Sequence, residues 1–233
     1  MSLYDRDYSK QQSQTQSFED NSLVEKSNLS AFIRKTYQLF AASLIAGAAG
    51  AYLGMDYAYQ ISSFGFWLII PFLALYFGLR FAIRKTGLNY ILLFAFTFFG
   101  GLIIAPSIAM YVNAGAGGIV VNAFILTAVA FGSLSIFAMS TKRDFSAIGK
   151  FLFIALIVIV VAMLLNYFVF QSSVGSLIIS IIAVLIFSAF ILYDTQNIIK
   201  GAYEHPIEGA IALYLDVLNL FVHLLNILGL SRD

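Results

Sequence analysis

The chain has no cysteine. That excludes disulfides, thiolate metal sites, haem attached through Cys and a Cys nucleophile. Charge is scarce as well. Asp, Glu, Lys and Arg make up 11% of 233 residues, against about 25% in an average soluble domain. The net charge of +1 provides no global field to draw in nucleic acid or an acidic partner. The nucleotide, zinc and serine-hydrolase signatures GxxxxGK(S/T), HExxH and GxSxG do not occur.

What is abundant is apolar surface. Hydrophobic residues are 61% of the chain, and the mean hydropathy is +0.89. A soluble domain of this size needs a polar exterior that these residues cannot supply. A polytopic membrane protein remains. Residues 1–30 are polar, with the run QQSQTQS at 11–17, and read as a disordered cytoplasmic N-terminal tail. They hold no apolar core of a cleaved signal peptide, so the first apolar block is expected to act as the insertion signal.

Beyond the tail, a membrane domain over 31–233 is expected. Its apolar blocks fall at 36–56, 65–83, 88–112, 118–140, 147–170, 175–199 and 209–230. A membrane-crossing helix takes about 20 apolar residues, so these are seven helices. The blocks are continuously apolar rather than alternating at every second residue, which excludes a barrel. Twelve of the thirteen Lys and Arg residues fall on one side of a seven-span chain, and only Arg232 falls on the other. Positive charge stays in the cytoplasm. The N-terminus is therefore expected inside and the C-terminus outside, with the cytoplasmic (inner) membrane of a bacterium as the location.

Inside lipid the informative residues are the expensive ones. A central Asp or Arg costs about 2.5–3.5 kcal/mol on insertion scales. Asp194, Asp216, His223, Arg80 and Arg84 are in this position. Asp194 lies six residues before Lys200, and Asp216 seven after Gly209. At 1.5 Å per residue both carboxylates sit roughly 10 Å from the same end of an antiparallel pair of spans. In a low dielectric such a pair shares a proton and titrates near neutral pH. It also attracts a hard cation such as Ca²⁺. Two carboxylates fall short of the six to eight oxygens of a tight Ca²⁺ site, so a weak, transient site is expected. The plain alternative is a hydrogen-bonded pair that only ties two helices together.

Asp216, Asn219, His223 and Asn226 recur at i, i+3, i+7 and i+10. They form one polar stripe that faces protein or a water-filled pore rather than lipid. For His223 the simpler reading is an interhelical hydrogen bond. Arg80 and Arg84 are one turn apart near the cytoplasmic end of the second span. One reading has them snorkel to the headgroups; the other has one of them turn inward to pair with Asp194 or Asp216. Ala46, Gly50 and Gly54 make a series of small residues suited to close helix packing. Gly100, Gly101 and Pro106 mark a tight crossing or a bend.

At these residues the chain resembles the Bax inhibitor-1 (transmembrane Bax inhibitor motif) family, in its bacterial branch. The matching stretches are RKTYQLF (34–40), FTFFGGLIIAPSIAMY (96–111), STKRDFSAIGKFL (140–152), ILYDTQNIIKG (191–201) and ALYLDVLNLFVHLLNILG (212–229). The resemblance implies an all-α fold of seven transmembrane helices with the seventh surrounded by the other six. It implies a pH-sensitive calcium leak with Asp194 and Asp216 as the sensing pair and no cofactor beyond Ca²⁺ as the permeant ion. It further implies an arginine latch to the sixth-span aspartate, at Arg84 by spacing, with Arg80 the alternative. Some bacterial relatives are linked to a membrane-anchored ATP-dependent protease, which makes a regulatory partnership the alternative function.

An enzyme is the third possibility. Intramembrane aspartyl proteases carry YD in one span and GxGD in the next. Tyr193–Asp194 matches the first, but Leu213-Tyr214-Leu215-Asp216 has neither glycine. The chain is therefore expected not to be an enzyme.

Overall fold

The computed structural model describes the backbone of residues 3–230 and the side chains of residues 23–230. Seven helices are long and apolar enough to cross a membrane: α1 (Leu23–Met55), α2 (Ala58–Ala82), α3 (Leu88–Asn113), α4 (Gly117–Ser140), α5 (Ser146–Phe170), α6 (Ser173–Ile199) and α7 (Pro206–Leu230). No strand occurs among the described residues. The seven blocks read from hydropathy are these seven helices, with the largest differences in the first two.

In the first, helix continues towards the N-terminus beyond α1 as bounded here, from Leu3. The disordered tail expected over 1–30 thus has its side chains outside the described residues up to 22, and over 23–30 the chain is helical. Once a turn is nucleated by the apolar span, each added residue gains a backbone hydrogen bond, so the helix runs on into polar sequence. Leu29 there lies beside Gly201, in the α6–α7 loop. In the second, a short helix, Ala58–Phe64, precedes a 3-10 turn at Gly65–Leu68 before the main helix, Ile69–Ala82. The polar residues Gln60, Ser62 and Ser63 hid this segment from hydropathy.

Helix α1 packs on α3 most extensively. Small residues make this possible. A Cβ on Gly50 would run into the backbone carbonyl of Phe98, and one on Gly101 into that of Gly47. The small-residue series is thus a packing device inside the chain, and Pro106 sits within a continuous α3. Helix α7 packs on α6, α1, α4 and α3. Its Tyr214, 1% exposed, donates its hydroxyl to the carbonyl of Thr97 at 2.6 Å.

By contrast α2 rests mainly on α3, and its most apolar stretch holds no buried residue. A π turn, Asn166–Phe170, ends α5. The loops that join α2 to α3, α4 to α5 and α6 to α7 share one end of the bundle, here called the basic end. Arg80, Arg84, Lys85, Lys142, Arg143, Lys150 and Lys200 all lie near it.

Candidate functional site

The segment ILYDTQN closes α6, and its Asp, Thr and Gln side chains reach three different neighbours. Gln196 accepts from the backbone N–H of Phe145 at 2.8 Å and donates to the carbonyl of Arg143 at 2.7 Å, which fastens the α4–α5 loop. Thr195 meets Ser135 of α4 at 3.4 Å. Asp194, 6% exposed, accepts from the Tyr203 hydroxyl at 2.6 Å. One turn on, Lys200 donates to Asp144 at 2.5 Å.

Asp216 of α7 is 4% exposed. The structure brings it and Asp194 together: their carboxyls lie within hydrogen-bonding reach of each other. Its Oδ2 is buried without a hydrogen-bond partner. Two carboxylates are both acceptors. Their contact becomes a hydrogen bond only when one proton sits between them. A buried acceptor left unmet costs about 1–3 kcal/mol.

The pair opens into a cavity of about 320 Å³ between α2, α5, α6 and α7. Tyr76 and Arg80 of α2, Leu156 of α5, Phe187 and Phe190 of α6, Tyr203 of the loop, and Glu208, Leu215 and Asn219 of α7 line it. Burial, then the neighbouring charge of Asp194, pushes the Tyr203 phenol far above its ordinary value. Tyr203 therefore stays a protonated donor throughout the physiological range.

The arginines do not pair with the aspartates as the latch expectation had it. Arg80 donates to Glu208 at 2.5 Å and Arg84 to Glu204 at 2.8 Å. The physical reason is local. The α6–α7 loop and the first turn of α7 carry two glutamates within reach of the end of α2, one exposed and one partly buried, and these nearer partners spare the arginines the cost of full burial. Arg80 still lines the aspartate cavity, whereas Arg84 is on the surface, with 83% of its side chain exposed. Between the two, the one in the cavity is Arg80, although spacing had favoured Arg84.

Glu208 has a second task. Its Oε2 accepts from the backbone N–H groups of Glu204 and His205, while His205 Nδ1 accepts from that of Ile207 at 3.2 Å. With Pro206 opening α7, this is a capping box built on histidine. Glu208 thus starts α7 and anchors α2 at once. Burial holds the His205 imidazole below its ordinary value, which keeps the accepting nitrogen unprotonated.

The polar stripe of α7 divides. Asn219 donates to the Leu215 carbonyl and lines the cavity. His223 and Asn226 both meet Ser180 of α6, at 3.2 and 2.8 Å. Sequence reasoning missed Tyr203, Glu204 and Glu208, which lie in or beside a loop. The Pro206–Glu208 spacing was the available signal for the last of them. Among the described residues no three His, Cys, Asp or Glu side chains converge as a metal site.

A bundle of seven membrane-length helices with a buried carboxylate pair beside a cavity defines an integral membrane protein whose site lies between helices. The model of the family described as "Inhibitor of apoptosis-promoting Bax1" matches residues 29–233. The chain belongs to this Bax inhibitor-1 family. It is 53% identical to an uncharacterized Campylobacter jejuni protein over 98% of this chain and 97% of that one. It is 37% identical to the Escherichia coli protein named modulator of FtsH protease YccA, over 71% and 77%. A vaccinia virus Golgi anti-apoptotic protein is 39% identical over 66% and 65%.

Proposed function

We propose that this protein is a pH-gated cation leak of a bacterial inner membrane, with Ca²⁺ as the permeant ion. The observation that carries the reading is the Asp194–Asp216 pair, buried, adjacent and open to a cavity whose α2 wall is held by Arg80 and Glu208. The charged pair attracts the Arg80 guanidinium across the cavity and holds Tyr203, whose neighbour Glu204 holds Arg84. Protonation removes that charge. The pull on Arg80 and Tyr203 then weakens, and the end of α2 shifts away from α7 and admits the ion. The basic end is the cytoplasmic face under this reading, by the positive-inside rule.

The test is Ca²⁺ entry into proteoliposomes of the purified protein, with the pH stepped between 8 and 6. Entry that rises as pH falls, and is missing from protein-free vesicles, is the expected result. Equal entry with and without protein overturns the reading.

A second reading is regulation of a membrane-anchored ATP-dependent protease, favoured by the name of the E. coli relative. The polar residues 1–30 are its natural handle. Deleting them abolishes any effect on such a protease while ion flux persists; an effect that survives the deletion removes this role for the tail. No enzymatic activity is part of either reading.

A further inference from the structure

A second cavity, of about 520 Å³, lies at the end of the bundle opposite the basic end. We propose that it is the other mouth of the ion path, a vestibule of neutral side chains that receives a hydrated cation. This inference rests on the leak reading above and names the second half of its route.

The vestibule is built by the π turn of α5, the start of α6 and the end of α7. Its lining includes Asn166, Gln171, Ser172, Ser176 and Asn226. Asn166 is 9% exposed and fixed in place. Its Nδ2 donates to the Ser172 carbonyl at 3.2 Å and to Ser176 Oγ at 2.8 Å, and its Oδ1 accepts from the Ser172 N–H at 3.3 Å. Gln171 stands in the left-handed region at φ 46°, a conformation that costs a residue with a side chain about 1–2 kcal/mol. π turns and strained residues gather where a backbone is shaped for a task.

From this vestibule polar groups continue inward. Ser176 and Ser180 are one turn apart on α6, and Asn226 and His223 nearly one turn apart on α7. Asn226 joins Ser180, and Ser180 joins His223, itself 4% exposed. His223 lies seven residues from Asp216, roughly 10 Å along the helix. Leu220 occupies that interval, and it packs in one apolar cluster with Phe187 and Ile191 of α6 and Ile159 of α5. The His223 ring stacks on Phe187 at 6.0 Å between centroids. A largely apolar cavity that holds the aspartates and a more polar one thus open at opposite ends of the same pair of helices, with one apolar layer between them. A hydrophobic constriction of this kind bars ions while it is dry and passes them when wetted. Among the described residues the vestibule has no charged lining residue. It therefore offers amide and hydroxyl oxygens to a cation that keeps part of its water, and leaves selection to the aspartates.

The absence of native cysteine lets single cysteines test this. Asn226→Cys and Ser176→Cys are reconstituted in vesicles and treated on either face with a membrane-impermeant, positively charged methanethiosulfonate. Ile182→Cys, on an exposed apolar part of α6, is the control. The expected result is reaction of the first two from the face opposite the basic end only, with Ca²⁺ flux falling tenfold or more. The control keeps its flux. In parallel, Asn226→Asp raises and Asn226→Lys lowers monovalent cation flux, each by about threefold, the effect of one unit charge about 7 Å away in water. Failure to react from that face, reaction without loss of flux, or charge variants that move flux in the same direction each overturns the vestibule while the leak stands. If the unmodified protein passes no ions, the leak reading itself has failed and the vestibule falls with it.

Discussion

Arg80 of α2 and Glu208 of α7 are joined by an ion pair at 2.5 Å, and the same Glu208 carboxylate caps the backbone that starts α7. One side chain therefore touches both the first turn of the helix that carries Asp216 and the end of the helix beside it.

These two tasks separate by substitution. Glu208→Gln keeps the capping geometry but loses the charge, since Gln also closes a capping box. It is expected to raise resting Ca²⁺ flux at pH 8 with little change in melting temperature. Glu208→Ala loses the cap as well and lowers stability by about 0.5–2 kcal/mol. The Arg80 side chain is half exposed, so a double-mutant cycle of Arg80→Gln with Glu208→Gln should give a coupling of about 0.2–1 kcal/mol. Additive effects on flux would show that the pair does not act together.

Tyr203→Phe removes the one hydroxyl that donates to buried Asp194. The loss of one hydrogen bond, with Asn197 still beside the carboxyl, is expected to cost about 0.5–1.5 kcal/mol, read as a lower melting temperature in detergent. A Phe variant as stable as the parent would mean that water replaces the hydroxyl there.

Asp144 and Lys200 provide a pH control. The Lys200 ammonium, then Ser146, holds the Asp144 carboxyl well below its ordinary 3.8. A lowered carboxyl contributes stability at any pH above its unfolded value, and loses it only as pH falls towards the folded one. The Asp144 carboxyl therefore stays charged between pH 8 and 5. Asp144→Asn is expected to leave the pH midpoint of flux where it was. A displaced midpoint would move the sensor into the α4–α5 loop.

At the crossing of α1 and α3 a Cβ on Gly101 meets the Gly47 carbonyl, a backbone atom that cannot swing aside. Gly101→Ala is expected to cost about 1–3 kcal/mol by overpacking, measured by thermal unfolding in detergent. Gly118→Ala, where nothing lies within 4 Å of the added Cβ, is the neutral comparison.

The spans were legible because hydropathy over twenty residues is a property of the chain itself. The near-coincidence of Asp194 and Asp216 was legible because helical rise is fixed, and two residues equally far from a short loop lie at one depth. The pairing of the arginines was not. Arg80 and Arg84 meet Glu208 and Glu204 through the path of a loop, and loop paths leave no periodic trace in sequence. The helical spacing put the α7 polar residues on one stripe, but not their partners: Ser180 of α6 captures His223 and Asn226 while Asn219 stays at the cavity. The helix before Phe32 was hidden by composition, since polar sequence extends a helix as readily as apolar sequence once the helix has begun.

The most direct test of the central claim is the pH profile of Ca²⁺ flux for Asp216→Asn beside the unmodified protein. Asn is the neutral stand-in for a protonated carboxyl. The account predicts that the rise in flux between pH 8 and pH 6 flattens in the variant. An Asp216→Asn profile that matches the parent in both amplitude and midpoint would contradict it.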